Sequence, residues 1–258
     1  MGIPLGVGGV LVLLVGSWLT GVNLFDVVGS GTGSVSDTTE SRPVSSSPQE
    51  EQMVDMVDAV AGDIQKTWAA LVPNYQPTKV RLFRNSIQSA CGLAGSASGP
   101  FYCPNDREVY LDLSFFEELK RRFQAPGDFA QAYVVAHEFG HHVQNLTGVL
   151  EREPFNGSAN ERSVRVELQA DCYAGIWGHD AARPGSYAAG RIELDPGDVE
   201  EALNAAAAIG DDRLQKMSTG RVVPESFTHG SSAQRVSWFK RGMDSGDPRA
   251  CDTFRNPQ

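Results

Sequence analysis

The sequence predicts an α+β fold that is mainly helical, contains a small sheet and is preceded by one transmembrane helix. Long segments place apolar residues three and four positions apart, as amphipathic helices do. Two shorter segments, at 80–83 and 109–113, are rich in the apolar and aromatic residues that strands favour. Residues 1–25 contain no charged side chain. These observations divide the chain into a membrane segment and one folded domain.

The uncharged residues 1–25 are long enough for a transmembrane helix, and their densest apolar part is 11–15. A signal peptide is the competing interpretation, but a charged amino-terminal region and a clean small-residue cleavage site are both missing. We therefore expect an uncleaved membrane anchor. Residues 26–49 are rich in Gly, Ser, Thr and Pro and predict a flexible linker. Residues 50–258 are long enough to form one domain with a sizeable core.

A first helix is predicted from about Pro48 to Leu71, and Pro73 and Pro77 end it. Its apolar residues fall on one face at spacings of three and four: Met53, Met56, Val57, Val60, Ile64, Trp68 and Leu71. Short strands are then expected at 80–83 and 109–113.

The later helices are predicted from residues that commonly begin a helix, in several cases followed by Glu, Gln or Pro. The predicted starts are Ser114 with Glu117 for helix 115–123, Asp128 with Gln131, Asn160, Asp195 with Pro196, and Ser231 or Ser232. Gly148 is expected to end the helix that starts at Asp128.

The most informative motif lies in the helix that starts near Asp128, where residues 137–141 read His-Glu-Phe-Gly-His. Imidazoles at positions i and i+4 lie on one helix face and can bind the same metal ion. Glu138 lies between them, close enough to act as a general base on a water that the metal activates. The motif predicts a zinc hydrolase, and the alternative is a solvated helix face with chance histidines.

A third metal ligand is expected in the helix that starts near Asn160. Glu167 and Asp171 are four residues apart, so both carboxylates point the same way. We assign Glu167 to the metal and Asp171 to a hydrogen bond with the ring N–H of a ligating histidine, although the two roles could be exchanged. If Glu167 is not the ligand, the next candidates are Glu161, Glu151 and Glu153.

The spacing after the motif excludes the metzincin subclass of zinc peptidases. Metzincins continue with a glycine and a third histidine, whereas this chain has Gln144 and Thr147 at those positions. A glutamate on a second helix is the natural substitute, which gives a His₂Glu ligand set.

With these residues, the chain resembles the neutral zinc metallopeptidase family of bacteria, single-span membrane proteins with a His-Glu-Phe-Gly-His-His core. The resemblance is carried by residues 99–104, 109–112, 136–144, 167–175, 227–235, and 246–248 with Cys251. It implies a zincin-like catalytic domain that binds Zn²⁺ and cleaves peptides. Family members usually carry a basic, polar stretch before the membrane segment, whereas this chain starts almost inside that segment.

The four cysteines predict two disulfides. Cys91 and Cys103 bracket a Gly/Ser-rich loop, which a disulfide would close, and Cys172 and Cys251 could then pair. An even number of cysteines behind a membrane segment is typical of an oxidising compartment. We therefore expect a single-pass cell-membrane protein whose catalytic domain is extracytoplasmic. The alternative is a cytosolic enzyme with four reduced thiols.

The expected activity is that of a zinc-dependent endopeptidase acting on a peptide or protein substrate. Glu138 would take a proton from the attacking water and pass it to the leaving amine. The alternative is a membrane-tethered, catalytically silent binding protein that contains zinc. The net charge of −10 argues against a nucleic-acid partner.

Three further features are weighed against plainer interpretations. His229 precedes a glycine that allows a tight turn, which could direct the imidazole into the cleft. We therefore expect His229 to act as a catalytic donor to the developing oxyanion, and the alternative is a helix-capping or packing role.

Strand 109–113 is either the edge on which an extended substrate pairs or an ordinary core strand. His142 and His179 are expected to make packing, capping or hydrogen-bond contacts and are not assigned to the site.

Overall fold

The predicted α+β class is confirmed for the part of the chain that the structure describes, which is mainly helical with two small sheets. This computed structural model describes residues 46–95, 98–151, 155–183, 192 and 194–255. The predicted anchor at 1–25 and most of the predicted linker lie outside these ranges. Within them, no helix is both long enough and apolar enough to span a bilayer.

Seven α-helices, five strands and two short 3₁₀ helices are described. In chain order they are α1 (Pro48–Leu71), β1 (Val80–Phe83), β2 (Ser86–Ser89), β3 (Gly92–Gly95), β4 (Phe101–Cys103), β5 (Glu108–Asp112), α2 (Leu113–Arg121), α3 (Asp128–Leu146), α4 (Ala159–Ala181), α5 (Asp198–Ala208), α6 (Asp211–Thr219), a 3₁₀ helix (Pro224–Ser226), α7 (Ser232–Ser245) and a second 3₁₀ helix (Pro248–Cys251).

Helix α1 has the predicted bounds, and most of its predicted apolar face is buried or half-buried, whereas Leu71 at its end is exposed. Ser47 is its N-cap and forms a reciprocal capping box with Glu50, which satisfies two backbone N–H groups at the helix start. Ile64 and Trp68 are fully buried in the core. Helix α1 begins at Pro48, so residues 48 and 49 belong to this helix although the predicted linker range, 26–49, includes them.

The principal sheet has three strands in the order β1-β5-β4, so β5 is its central strand. β1 pairs with β5 in parallel, with Val80 opposite Val109. β4 pairs with β5 antiparallel, with Phe101 opposite Tyr110. The idea that strand 109–113 is a free edge for substrate is therefore wrong, because both of its edges are already hydrogen-bonded. β2 and β3 form a separate antiparallel pair.

Two predicted helix starts differ from the structure. Helix α2 begins at Leu113 because Asp112, not Ser114, is its N-cap, and the Asp112 carboxylate accepts the backbone N–H of Ser114 at 2.8 Å. Helix α5 begins at Asp198, after Gly197, and not at Asp195 with Pro196. Both predicted helices exist, but α2 also ends at Arg121, two residues before the predicted end at Phe123.

Close contacts between backbones hold the site-bearing helices together. A Cβ added at Gly140 on α3 would lie 3.0 Å from the Cα and carbonyl oxygen of Ala170 on α4. A Cβ added at Gly242 on α7 would overlap the carbonyl oxygen of Cys172 on α4. Helix α4 is therefore packed between α3 and α7 at distances that only glycine permits.

Both predicted disulfides are present. Cys91 pairs with Cys103 beside the β2–β3 hairpin, and Cys172 pairs with Cys251. The second bridge fastens the carboxyl-terminal 3₁₀ helix to α4, and all four cysteines are accounted for. Since Cys172 follows Asp171 directly, this bridge supports the candidate site.

Candidate metal centre

Helix α3 presents the His-Glu-Phe-Gly-His motif. Its N-cap is Gly127, not the predicted Asp128, and Gly127 has no side chain with which to cap the helix. The backbone N–H of Phe129 donates to Oδ1 of Asp128 at 2.9 Å and to the carboxylate of Glu201 on α5 at 3.2 Å. The helix ends at Leu146, and Gly148 follows in the left-handed region at φ +73°, as predicted.

The three predicted donors meet between α3 and α4. The ligand atoms of His137, His141 and Glu167 all lie within 4.8 Å of one another. Glu167 places Oε2 3.1 Å from Nε2 of His137 and Oε1 3.6 Å from Nε2 of His141. Both Nε2 atoms therefore face the same carboxylate, which is the arrangement expected of ligands that share one metal ion.

The structure places the alternative third ligands elsewhere. Glu161 is engaged in the capping box of α4, where its carboxylate accepts the backbone N–H of the N-cap Ser158 at 2.6 Å. Glu151 is exposed in the turn after α3. Glu153 lies outside the described residues.

Asp171 lies behind His137, on the side opposite Glu167. Its Oδ1 is 2.8 Å from Nδ1 of His137 and accepts the hydroxyl of Tyr133 at 2.5 Å. Arg235 on α7 donates to both carboxylate oxygens at 2.9 Å, and this ion pair is buried. Such a paired carboxylate holds the imidazole in one orientation, with Nε2 turned toward Glu167.

Burial and charge set the protonation of these groups. Burial alone lowers the pKa of His137, but Asp171 and Glu167 raise it to about 10, so a metal ion and a proton compete for this ring. Burial raises the pKa of Glu138, and the two histidines offset this only partly. Burial also acts to raise the pKa of Glu167, but the neighbouring His141 and His137 hold it well below its ordinary value.

His229 is held by Asp211 at the start of α6. One oxygen of Asp211 accepts the backbone N–H groups of Thr228, His229 and Gly230 at 2.7, 2.7 and 3.0 Å. The other oxygen lies 3.2 Å from Nδ1 of His229. Although burial lowers the pKa of His229, the hydrogen bond to Asp211 and the charge of Glu167 raise it above its ordinary value. The remaining ring nitrogen, Nε2, is left for another partner.

The histidines that were not assigned to the site make the contacts expected of them. His142 is buried and bonds through Nδ1 to the hydroxyl of Tyr102 at 3.1 Å and through Nε2 to the carbonyl of Gln76 at 2.7 Å. His179, in the last turn of α4, donates to the carbonyl of Met243 at 2.7 Å.

Four residues of the site were not predicted from the sequence: Tyr133, Gln144, Asp211 and Arg235. Tyr133 lies one helical turn before His137, and Gln144 lies three residues after His141. These helical spacings were visible in the sequence. Arg235 and Asp211 carry no local signal, because they reach the site from helices far along the chain.

A cavity of about 850 Å³ lies between the amino-terminal half of α4 and the segment that leads into α7. Val164 and Leu168, which flank Glu167 on α4, line one side, and Phe227, two residues before His229, lines another. Trp238 also lines it; its side chain is 2 % exposed, and its indole N–H has no hydrogen-bond partner. The cavity therefore joins the two elements that supply Glu167 and His229.

The fold and the site together define a helical protein with a His-Glu-x-x-His helix and a carboxylate from a second helix. Residues 1–254 match the model of a family described as "Putative neutral zinc metallopeptidase". The chain belongs to this family.

Two relatives are similar over most of the chain. The uncharacterized protein YpfJ of Escherichia coli K12 is 46% identical over 263 residues, covering 98% of this chain and 88% of the relative. The uncharacterized protein Rv2575 of Mycobacterium tuberculosis is 48% identical over 204 residues, covering 77% of this chain and 69% of the relative. No solved structure matches the chain.

Proposed function

We propose that the protein is a zinc-dependent endopeptidase. The observation that carries the proposal is the convergence of His137, His141 and Glu167, with Glu138 buried beside them on α3. A binding or structural site has no use for Glu138, whereas a hydrolase needs a base next to the metal. The family description supports the same activity.

The donor chemistry fits Zn²⁺. Two imidazole nitrogens and one carboxylate form a His₂Glu set, the composition found in catalytic zinc sites with an open fourth position. Structural zinc sites instead use four protein ligands. When bound, zinc lowers the pKa of a coordinated water and polarises the substrate carbonyl.

Glu138 would act as the general base and then as the general acid. A carboxylate oxygen takes the proton of the attacking water and later gives it to the nitrogen of the leaving amine. The raised pKa of Glu138 suits this exchange, because a base whose pKa lies closer to neutrality also returns the proton more readily.

His229 would stabilise the oxyanion that develops on the substrate. Its Nδ1 faces Asp211, so a donor directed at the substrate has to be the N–H at Nε2. Both nitrogens carry hydrogen only in the imidazolium form, and Asp211 favours that form. Asp171 and Arg235 would keep His137 in its ligand orientation throughout.

A catalytically silent, zinc-containing binding protein is the second candidate. The substitution Glu138→Gln separates the two, since Glu138 is proposed as a base and not as a ligand. We expect the variant to retain stoichiometric zinc and to cleave a peptide library about 10²–10⁴-fold more slowly. Metal analysis and a fluorogenic peptide assay, with and without chelator, provide the measurements.

The control is Glu200→Gln, which makes the same change at an exposed position on α5. It should leave both zinc content and rate unchanged. If Glu138→Gln loses its zinc but the reconstituted variant keeps the wild-type rate, both assignments of Glu138 are wrong. If the zinc-loaded wild type cleaves no member of the library, the binding protein becomes the better description.

We also propose that the folded domain is extracytoplasmic and anchored through residues 1–25. The two disulfides support this placement, because such bridges persist mainly in oxidising compartments. Thiol labelling of protein taken directly from the producing cell, before and after reduction, tests it. Four labelled thiols without reduction would place the domain in a reducing compartment.

A further inference from the structure

The second histidine ligand, His141, is backed by an uncharged side chain. Its Nδ1 lies 2.8 Å from Oε1 of Gln144, one turn later on α3. Gln144 is fully buried, and its Nε2 donates to the carbonyl of Val166 at 2.7 Å and to Oε1 of Gln169 at 3.1 Å. A buried amide with all these contacts has only one satisfactory orientation.

We propose that Gln144 is the positioning residue for His141, and that it presets the metal-binding tautomer of this ring. The proposal rests on the proposed metal site. The carbonyl of Val166 can only accept, so the amide nitrogen of Gln144 faces it and Oε1 faces His141. Since Oε1 also can only accept, Nδ1 of His141 carries the hydrogen. The lone pair of Nε2 is therefore directed toward Glu167, 3.6 Å away.

Gln144 also joins α3 to α4 by hydrogen bonds. Its two partners on α4, Val166 and Gln169, lie on either side of Glu167. The side chain of Gln144 therefore sets the tautomer of His141 and also fixes the position of His141 relative to Glu167. Gln169 is fixed in turn, because its Nε2 donates to the carbonyl of Cys251 at 2.9 Å. That carbonyl is held in place by the disulfide to Cys172.

The two histidine ligands are thus supported by different chemistry. Asp171 behind His137 is a carboxylate neutralised by Arg235, whereas Gln144 behind His141 is a neutral amide. A carboxylate at position 144 would bring a negative charge against the carbonyl of Val166, which can only accept a hydrogen bond. The amide supplies the same acceptor to the imidazole and avoids this repulsion.

The first test measures the ¹⁵N chemical shifts of the His141 ring in the wild-type protein without metal, over a pH series that extends until the ring is neutral. We expect hydrogen on Nδ1. Hydrogen predominantly on Nε2 would overturn the proposal without any variant, and whether or not the protein proves to be a peptidase.

The second test replaces Gln144 by Leu and, as a matched control, Gln131 by Leu on the same helix. Gln131 donates only to the carbonyl of Gly127, in the first turn of α3. We expect Gln144→Leu to shift His141 toward the Nε2–H tautomer and to weaken zinc binding about 10–100-fold, as outer-shell changes do. Gln131→Leu should change neither. Wild-type zinc affinity and an unchanged tautomer in folded Gln144→Leu would reduce Gln144 to a packing residue.

Discussion

Asp211 is the residue that decides what His229 can donate. It binds three consecutive backbone N–H groups with one oxygen and the imidazole with the other, so the turn and the ring are held by the same carboxylate. Nδ1 also lies 3.0 Å from the hydroxyl of Thr228. While Nδ1 donates to Asp211, Nε2 carries a hydrogen only in the protonated ring. The proposed role of His229 is therefore tied to pH.

Asp211→Asn should move the alkaline limb of the pH–rate profile to lower pH. In the wild type the pKa of His229 is raised, so the active imidazolium persists above the ordinary pKa and is lost as the pH rises through the raised value. Removing the negative charge of Asp211 lowers that pKa, and the loss of activity then begins earlier.

Asp212→Asn is the matched control, because Asp212 lies on the same helix but accepts hydrogen bonds from Ser232. Its alkaline limb should coincide with that of the wild type. An unshifted limb in Asp211→Asn, with zinc content intact, would show that His229 does not act as an imidazolium.

Some residues of the candidate site could be assigned from the sequence, and others could not. His137, Glu138 and His141 could be placed on one helix face because helical spacing is a local property. The sequence could not distinguish which of Glu167 and Asp171 faces both histidines and which contacts only His137, since the two carboxylates point the same way along α4. The distances in the structure distinguish them. Arg235 could not be assigned, because its charge is neutralised only where α7 meets α4.

At the scale of elements, helix starts that depend on neighbouring residues could be predicted, whereas contacts from distant parts of the chain could not. Ser231 caps α7 with a box that includes Gln234, and this helix was predicted to within one residue. The start of α3 was predicted to within one residue, but the contribution of Glu201 to its first turn was not, because this carboxylate lies 72 residues away in the chain. Likewise the position of β5 in the sheet depends on pairing with strands on both sides, which no local pattern contains.

Gly242→Ala should destabilise the protein by about 1–3 kcal/mol, the usual cost of overpacking a core. Its new methyl group would overlap the backbone carbonyl of Cys172, so α4 and α7 would have to separate. Gly62→Ala on α1 is the control, because no atom lies within 4 Å of the added methyl group. That change should be neutral or stabilising by up to about 1 kcal/mol. Chemical denaturation measures both, and equal effects would contradict the close approach of α4 and α7.

At the scale of the whole molecule, we propose that the cavity between α4 and the segment before α7 receives a side chain of the peptide substrate. Val164→Phe should narrow it and raise KM for substrates with large apolar residues, while zinc content stays constant. Ala233→Phe on α7 introduces the same ring at an exposed position and should leave KM unchanged. If Val164→Phe changes KM equally for all substrates, or changes it for none, the cavity does not take part in substrate recognition.

The two disulfides should contribute unequally to stability. Cys172–Cys251 joins residues 79 apart, whereas Cys91–Cys103 joins residues 12 apart. Replacing the long-range pair by alanine should cost about 2–5 kcal/mol and the short-range pair less, because a longer loop loses more entropy when it is closed. Thermal unfolding of the two double variants ranks them, and a larger loss from the short-range pair would contradict this account.

The position of Arg235 and Cys251 late in the chain has a consequence for biosynthesis. A polypeptide still attached to the ribosome already contains His137, His141 and Glu167, yet it lacks the cation that holds Asp171 and the bridge that braces α4. Completion of the centre therefore waits until translation has passed α7. A nascent chain that ends before α7 contains the metal ligands without the ion pair at Asp171, so we expect the proposed activity only after this helix has been made.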